Sequence, residues 1–219
     1  MRRKIILVVF FGIAFAFVES SVVTYLRALY YPEGFSFPLK TLGSAHIAVE
    51  LAREFATIVM LISIGLLAGR TAWQKFSYFM IAFGVWDVFY YVWLKVILDW
   101  PATLFDWDIL FLTPLPWIGP VIAPVLISLL MSVAGVLIIQ IEERGVHFKP
   151  PLSAWIISAA ATLVVLLTFT RDTGATLHAQ IPEPFKYEFF LPAFLLYGIA
   201  LAMSFKGSHR SQSSGHAAT

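Results

Sequence analysis

The sequence predicts an all-α integral membrane protein whose six transmembrane helices form one bundle. Composition and hydrophobic pattern together lead to this fold class. Hydrophobic residues make up 59% of the 219 residues and charged residues only 13%, whereas roughly 25% of residues are charged in a typical soluble domain. The apolar residues are grouped into segments, and a helix needs about 20 such residues to cross a bilayer. The segments are close to this length.

Six such segments follow one another, separated by stretches rich in proline, glycine and charge. We expect the first to be retained as a spanning helix, because its apolar run continues past the signal-peptide-like Ala14-Phe15-Ala16. Residues 1–206 therefore form one transmembrane domain, and the polar residues 207–219 are predicted to be a disordered cytoplasmic tail. The segments cover residues 5–28, 44–68, 76–98, 119–141, 153–170 and 189–205.

The stretch between the third and fourth segments, residues 99–118, differs from the other connections. It is too apolar for a hydrated loop, and it is too short and too interrupted by proline for another crossing. We predict an interfacial or re-entrant segment here, in the form of a helix that lies on or dips into the outer leaflet. Such a segment either covers a site between the helices or only anchors the protein.

Lysine and arginine residues near the segment ends indicate the orientation, because cytoplasmic loops carry an excess of them. If both termini are cytoplasmic, that side carries nine of these residues and the other side four. We therefore expect a multi-pass protein of the bacterial inner membrane with both termini in the cytoplasm. The cytoplasmic set is Arg2, Arg3, Lys4, Arg70, Lys75, Arg144, Lys149, Lys206 and Arg210, and the opposite set is Arg27, Lys40, Arg171 and Lys186.

The second segment begins with an unusual group of polar residues. At about 100° per residue, His46, Glu50, Arg53, Glu54 and Thr57 share one face of a helix. Glu50 and Glu54 stand one turn apart, and two like charges at this spacing are unfavourable. A shared proton, the Arg53 guanidinium or a bound cation must therefore neutralise them.

The first and third segments also carry polar residues within the membrane. Glu19 lies in the first, and Asp87 is followed by Tyr90, Tyr91 and Lys95 on one face of the third. A charge at the centre of a spanning helix costs about 2.5 to 3.5 kcal/mol, so we expect these groups to face one another rather than lipid. The candidate site thus belongs to residues 1–98, whereas residues 119–206 form an apolar half.

The leading functional hypothesis is a buried acidic and histidine-containing site in the outer half of helices 1–3. It would be a metal- or proton-binding centre acting on a lipid- or quinone-like substrate, with Glu50, Glu54 and Asp87 as candidate catalytic groups. Imidazole and carboxylates are ligands that iron, manganese or zinc accept. The candidate metal ligands are Glu19, His46, Glu50, Glu54 and Asp87, and the candidate substrate-binding residues are Arg53, Lys95, Trp86, Tyr90 and Tyr91.

Two other functional classes are kept as alternatives. In a non-catalytic subunit of a larger complex, the same charges form a structural network and helices 4–6 contact a protein partner. In a proton-coupled transporter, the buried carboxylates carry protons. The chain has no cysteine, which excludes cysteine-ligated iron–sulfur clusters. Only one histidine lies within the spans, which argues against a b-type haem. The chain has no basic patch interleaved with aromatic residues, so we do not expect nucleic acid as a partner.

Overall fold

A computed structural model describes residues 2–40, 43–113, 115–178 and 180–216, with side chains up to residue 208. Six helical stretches are long and apolar enough to cross a membrane, which confirms the predicted all-α bundle. Numerous large apolar side chains on these helices are exposed, as expected for contact with a lipid bilayer. The elements are α1 (Arg2–Tyr30), α2 (Ser44–Ala68), α3 (Ala72–Leu98), β1 (Trp107–Phe111), β2 (Trp117–Pro120), α4 (Ile122–Glu143), α5 (Leu152–Thr170), α6 (Thr173–Leu177) and α7 (Tyr187–His216).

Helix α3 is the centre of the first half of the bundle, because it packs against α1, α2 and α4. Its approach to α4 requires glycine at two positions. A side chain at Gly84 would collide with Ser128 and Ser132, and a Cβ at Gly135 would lie 2.6 Å from the carbonyl oxygen of Ser77. Small residues of this kind let two helices pack closely within a membrane.

Helices α5 and α7 form a second group and pack against each other. Aromatic rings fill the contact at one end, where Phe169 and Phe185 surround the fully buried Phe190. This pair meets the rest of the protein through β2 and through a limited contact with α4.

Helix α7 includes residues 207–216 of the stretch that the sequence analysis assigns to a cytoplasmic tail, and it ends at His216. Residues 217–219 of that stretch lie outside the described residues. Hydroxyl groups on the helix donate to carbonyls one turn earlier, from Ser204 to Ala200 and from Ser208 to Ser204. The backbone N–H of Lys149 donates to the Ser208 hydroxyl at 3.0 Å, which connects this turn to the segment before α5.

The segment between α3 and α4 is a β-hairpin, so the prediction of a helix there is wrong. Strands β1 and β2 pair antiparallel, with Asp108 opposite Gly119 and Ile109 opposite Ile118. The prolines at positions 114, 116 and 120 remove backbone donors that a continuous helix would need. Aromatic and β-branched residues in this stretch fit a pleated strand instead.

The hairpin lies between the two helix groups and contacts both. On one side, the Phe111 ring lies 6.4 Å from those of Phe83 and Trp86 in α3. On the other side, the Trp117 ring stacks on Phe169 of α5, with 6.3 Å between the centroids. The hairpin therefore fixes one end of the bundle and closes the space between α1, α2 and α3.

Replacing Gly135 by alanine tests the close packing of α3 against α4. The added methyl group would press on the Ser77 backbone, so we expect the free energy of unfolding to fall by about 1 to 3 kcal/mol. Gly198→Ala in α7 is the matched control, because no atom lies within 4 Å of a Cβ there. Thermal unfolding in detergent, followed by tryptophan fluorescence, measures both variants. Equal midpoints would contradict the packing described here.

Candidate functional site

A cavity of about 470 Å³ opens at the end of the bundle where α1 and α3 end and α2 begins. Helices α1, α2 and α3 form its walls, and the hairpin closes one side. Such a volume lies in the range typical of small-molecule sites, about 300 to 1,000 Å³. The ionisable groups of its lining are Glu19, Arg27, Lys40, Glu50, Arg53, Glu54, Asp87 and Asp108.

Arg53 of α2 connects two of the buried carboxylates. Its Nη2 and Nε donate to Glu50 Oε2 at 2.6 and 2.9 Å, and its Nη1 forms a salt bridge with Glu19 of α1. Thr57 also donates to Glu19, at 3.2 Å. The guanidinium, which is planar and has several donors, therefore joins α1 to α2 through two acids.

Glu54 stands one turn after Glu50 but has different partners. It accepts hydrogen bonds from the backbone N–H groups of Leu112 and Thr113, at 2.8 and 3.2 Å, and from the Thr113 hydroxyl at 3.0 Å. The like-charge pair predicted from the sequence is therefore divided, because Glu50 is held by Arg53 and Glu54 by the hairpin.

A second ion pair joins α1 to the hairpin. Arg27 Nη2 lies 3.1 Å from Asp108 Oδ1, and both side chains are more than nine-tenths buried. The Arg27 guanidinium also lies over the rings of Trp100 and Phe35, at 3.7 and 4.3 Å from their centroids. Burial raises the pKa of Asp108 to about 6, although the positive charge of Arg27 acts in the opposite direction.

Asp87 of α3 is buried in the lining, and its Oδ2 accepts a hydrogen bond from Ser128 of α4 at 2.8 Å. Among the residues with described side chains it has no salt-bridge partner. The predicted aromatic residues do line the cavity beside it, since Trp86 stacks on Tyr90 at 6.5 Å and Tyr90 meets Tyr91 at 4.9 Å. The predicted α3 residues Trp86, Asp87, Tyr90 and Tyr91 therefore form one wall of the cavity.

Two of the predicted site residues lie outside this lining. His46 is exposed, and its Nδ1 lies 3.0 Å from the Tyr30 hydroxyl. Lys95 is directed to the end of its own helix, where it bonds the carbonyls of Asp99 and Pro101 and forms a salt bridge with the Asp99 carboxylate. The pKa of Asp99 is lowered by this hydrogen bond and charge.

The predicted metal ligands are not brought together. Within the ranges that the structure describes, no three His, Asp or Glu side chains form a group that could hold a metal ion. Glu50 and Glu54 bind different partners, Asp87 bonds Ser128, and His46 lies outside the lining. A centre built from Glu19, His46, Glu50, Glu54 and Asp87 therefore has no support in the geometry.

Sequence reasoning missed several residues that matter here. Asp108 follows a tryptophan in a connection that the sequence presents as a loop, where a carboxylate is normally hydrated. The aromatic and β-branched residues of Trp107–Phe111 favour a strand, but a polar residue in such a strand is expected on its exposed face, so no sequence signal marks the burial of Asp108. Nothing in the sequence marks the backbone donors of Leu112 and Thr113, because any non-proline residue carries one.

Five buried polar atoms of lining residues form no hydrogen bond among the described residues, and one of them, Arg53 Nη1, is paired with Glu19 in the salt bridge. The other four are Arg27 Nη1, Trp86 Nε1, Asp108 Oδ2 and Thr176 Oγ1. An unsatisfied buried polar group costs about 1 to 3 kcal/mol, so such groups normally bond water or a ligand. The residues that carry these atoms all line one cavity, although the atoms themselves have almost no accessible surface.

Comparisons of the chain with protein-family models, curated proteins and solved structures find no match. The functional argument therefore depends on the geometry and chemistry of the cavity.

Replacing Glu54 by alanine tests its connection to the hairpin. The three donors of Leu112 and Thr113 would lose their acceptor, so we expect hydrogen exchange across residues 107–120 to accelerate at least tenfold. Thr113→Val is the graded control, because it removes the hydroxyl and leaves both backbone bonds. An unchanged exchange rate in Glu54→Ala would show that the hairpin is held by other contacts.

Replacing Arg53 by methionine tests the buried ion pairs. Glu19 and Glu50 would lose their cation, and breaking a buried pair costs about 3 to 5 kcal/mol. We expect a loss near the lower value, since 22% of the Arg53 side chain is exposed. Arg171→Met breaks the exposed pair with Glu183, which is worth about 0 to 1 kcal/mol. Similar unfolding midpoints for both variants in detergent would refute a stabilising role for Arg53.

Proposed function

We propose that this protein binds an amphipathic, lipid- or quinone-like molecule in the cavity between α1, α2, α3 and the hairpin. The cavity would open toward the outer leaflet of a bacterial inner membrane, with both termini in the cytoplasm. The observation that carries the proposal is the cavity of about 470 Å³, whose lining combines charged and polar side chains with aromatic and aliphatic ones. A polar group of a ligand would bond the charged side chains, and its apolar part would contact the rest of the lining.

The composition of the lining supports an amphipathic ligand. Its interior carries ionised and hydrogen-bonding groups, whereas the lining also includes the apolar side chains of Leu39, Ile47 and Leu177 and the rings of Tyr30 and Tyr31. Ile47 and Leu177 are exposed, so they provide an apolar path from the cavity to the surface. A polar head would occupy the interior, and a hydrocarbon tail would follow this path toward the lipid.

The predicted site residues take different roles in this proposal. Glu50, Glu54 and Arg53 hold the walls, because their polar atoms are bonded within the chain. Asp87 keeps a polar group available to a ligand, because one of its carboxylate oxygens accepts no hydrogen bond from the described residues, and Trp86 contributes its ring to the lining beside it. Lys95 has no part, since it bonds the end of α3.

A second candidate is a non-catalytic membrane subunit, in which the charges only fix the helices. It is favoured by the extent to which the carboxylates Glu19, Glu50 and Glu54 already have partners in the chain. A protein partner that co-purifies stoichiometrically, and is lost together with the ion pairs in Arg53→Met, would support it.

Filling the cavity tests the leading proposal. Val23 lines the cavity, so a tryptophan there would occupy the space of a ligand. Val59 of α2 is 45% exposed and is not part of the lining, so Val59→Trp is the matched control. We expect Val23→Trp to weaken binding of a short-chain ubiquinone or a lysophospholipid at least tenfold, and Val59→Trp to leave it unchanged.

Binding is measured in nanodiscs by quenching of tryptophan fluorescence for the quinone, and by native mass spectrometry for the lysophospholipid. The proposal would be contradicted if the purified, unaltered protein retained no amphiphile and bound neither probe. Equal binding by both variants would show that amphiphiles bind elsewhere on the surface.

A further inference from the structure

The charged groups inside the cavity are unequal in number. Five carboxylates line it, whereas only the two guanidinium groups of Arg27 and Arg53 lie in the interior, because Lys40 is exposed at the edge. Both guanidinium groups are already engaged, Arg53 by Glu19 and Glu50, and Arg27 by Asp108. The carboxylates thus exceed the interior cations by three.

Asp87 and Asp108 are the acids through which this excess acts on a ligand. They lie within electrostatic range of each other. Asp108 is only 3% exposed, and its carboxylate interacts with Arg27 and with the Tyr91 hydroxyl. Asp87 is 7% exposed, and only one of its carboxylate oxygens accepts a hydrogen bond from a described residue. The other oxygen is a buried acceptor that requires a donor from water or from a ligand.

The walls beside these acids are aromatic. Tyr90 and Tyr91 lie within electrostatic range of both carboxylates. The Trp86 ring is 6.5 Å from that of Tyr90 and 6.4 Å from that of Phe111. Carboxylates next to several aromatic rings are the environment that attracts organic cations, because the faces of the rings are negative.

A compact metal ion does not fit this arrangement. Metal ions need several ligands at about 2.0 to 2.6 Å, and no three acidic or histidine side chains converge in this way within the described part of the chain. A larger cation with spread charge fits carboxylates that stand on separate elements, such as Asp87 on α3 and Asp108 on β1.

We infer that the ligand of this cavity carries an organic cation, a primary or quaternary ammonium group, which binds between Asp87 and Asp108 against the rings of Trp86, Tyr90 and Tyr91. The inference rests on the proposed function and specifies the head group of the amphipathic ligand. A hydrogen bond from a primary ammonium would satisfy the second carboxylate oxygen of Asp87, and the aromatic rings would replace part of the hydration of the cation.

A series of single-chain amphiphiles tests the head group directly. Dodecylamine, dodecyltrimethylammonium, dodecanol and dodecyl sulfate share one chain and differ in head charge. They are titrated below their micellar concentrations into the full chain in nanodiscs of phosphatidylcholine, with empty nanodiscs as the blank. We expect at least one of the two ammonium compounds to bind tenfold or more tightly than both dodecanol and dodecyl sulfate, and Val23→Trp to abolish this difference.

An isosteric variant of Asp87 tests whether this carboxylate binds the cation. Asp87→Asn retains an oxygen that accepts from Ser128, and it should weaken binding of the ammonium compound at least fivefold without changing that of dodecanol. Asp106→Asn is the control, because Asp106 bonds Ala102 and Thr103 outside the lining. If Asp87→Asn fails to fold, the preference of the unaltered protein for ammonium compounds over dodecanol and dodecyl sulfate still tests the inference.

The other outcomes separate this inference from the proposed function. Equal binding of dodecanol and the ammonium compounds, in a manner that Val23→Trp abolishes, would overturn the cationic head and leave amphiphile binding intact. Tighter binding of dodecyl sulfate would also overturn it, because Arg27 and Trp86 would then be the recognising donors. If no member of the series binds, the proposed function fails as well.

Discussion

The structure depends on one constraint, which is that carboxylates within a membrane bundle must find partners inside the protein. Glu19 and Glu50 share Arg53, and Glu54 takes its donors from the hairpin. The contact of Arg53 with Glu19 joins α2 to α1, and the contact of Glu54 with Leu112 joins α2 to the hairpin. Glu50 lies on α2 and holds the Arg53 side chain in place. Helices α1 and α2 meet only to a limited extent directly, so the salt bridge of Arg53 with Glu19 supplies a connection that apolar packing alone provides weakly.

The same constraint bears on the hairpin that β1 and β2 form. In a helix the N–H groups of Leu112 and Thr113 would bond carbonyls of the preceding turn. In the hairpin they lie beyond the paired residues of β1 and remain available to the Glu54 carboxylate. A hydrogen bond to an ionised acceptor is stronger than one between neutral groups. The conformation of the hairpin and the burial of Glu54 thus stabilise each other.

The spanning helices could be predicted from the sequence because a bilayer requires long apolar segments. The inward direction of Glu19, Glu50, Glu54 and Asp87 could be predicted for the same energetic reason. Their partners could not, because a partner depends on distances between elements. Asp108 is buried only because the hairpin carries it under Arg27, and Lys95 reaches its own helix end rather than the cavity. The polar stripe of α2 therefore predicted a site but not its chemistry.

The cavity stays open for reasons that follow from this network. Arg53 and Glu54 hold α1, α2 and the hairpin at distances set by hydrogen bonds, so the walls cannot approach without breaking them. On α3, Trp86 packs against Tyr90 and against Phe111 of the hairpin, so these rings form part of the cavity wall without filling the space. Asp108 belongs to the same network, because its ion pair with Arg27 joins α1 to the hairpin. Asp87 differs from these acids, since it bonds only Ser128 of α4 among the described residues. It can therefore be replaced by an isosteric amide without loss of the bonds of Arg53, Glu54 and Arg27 that keep the cavity open.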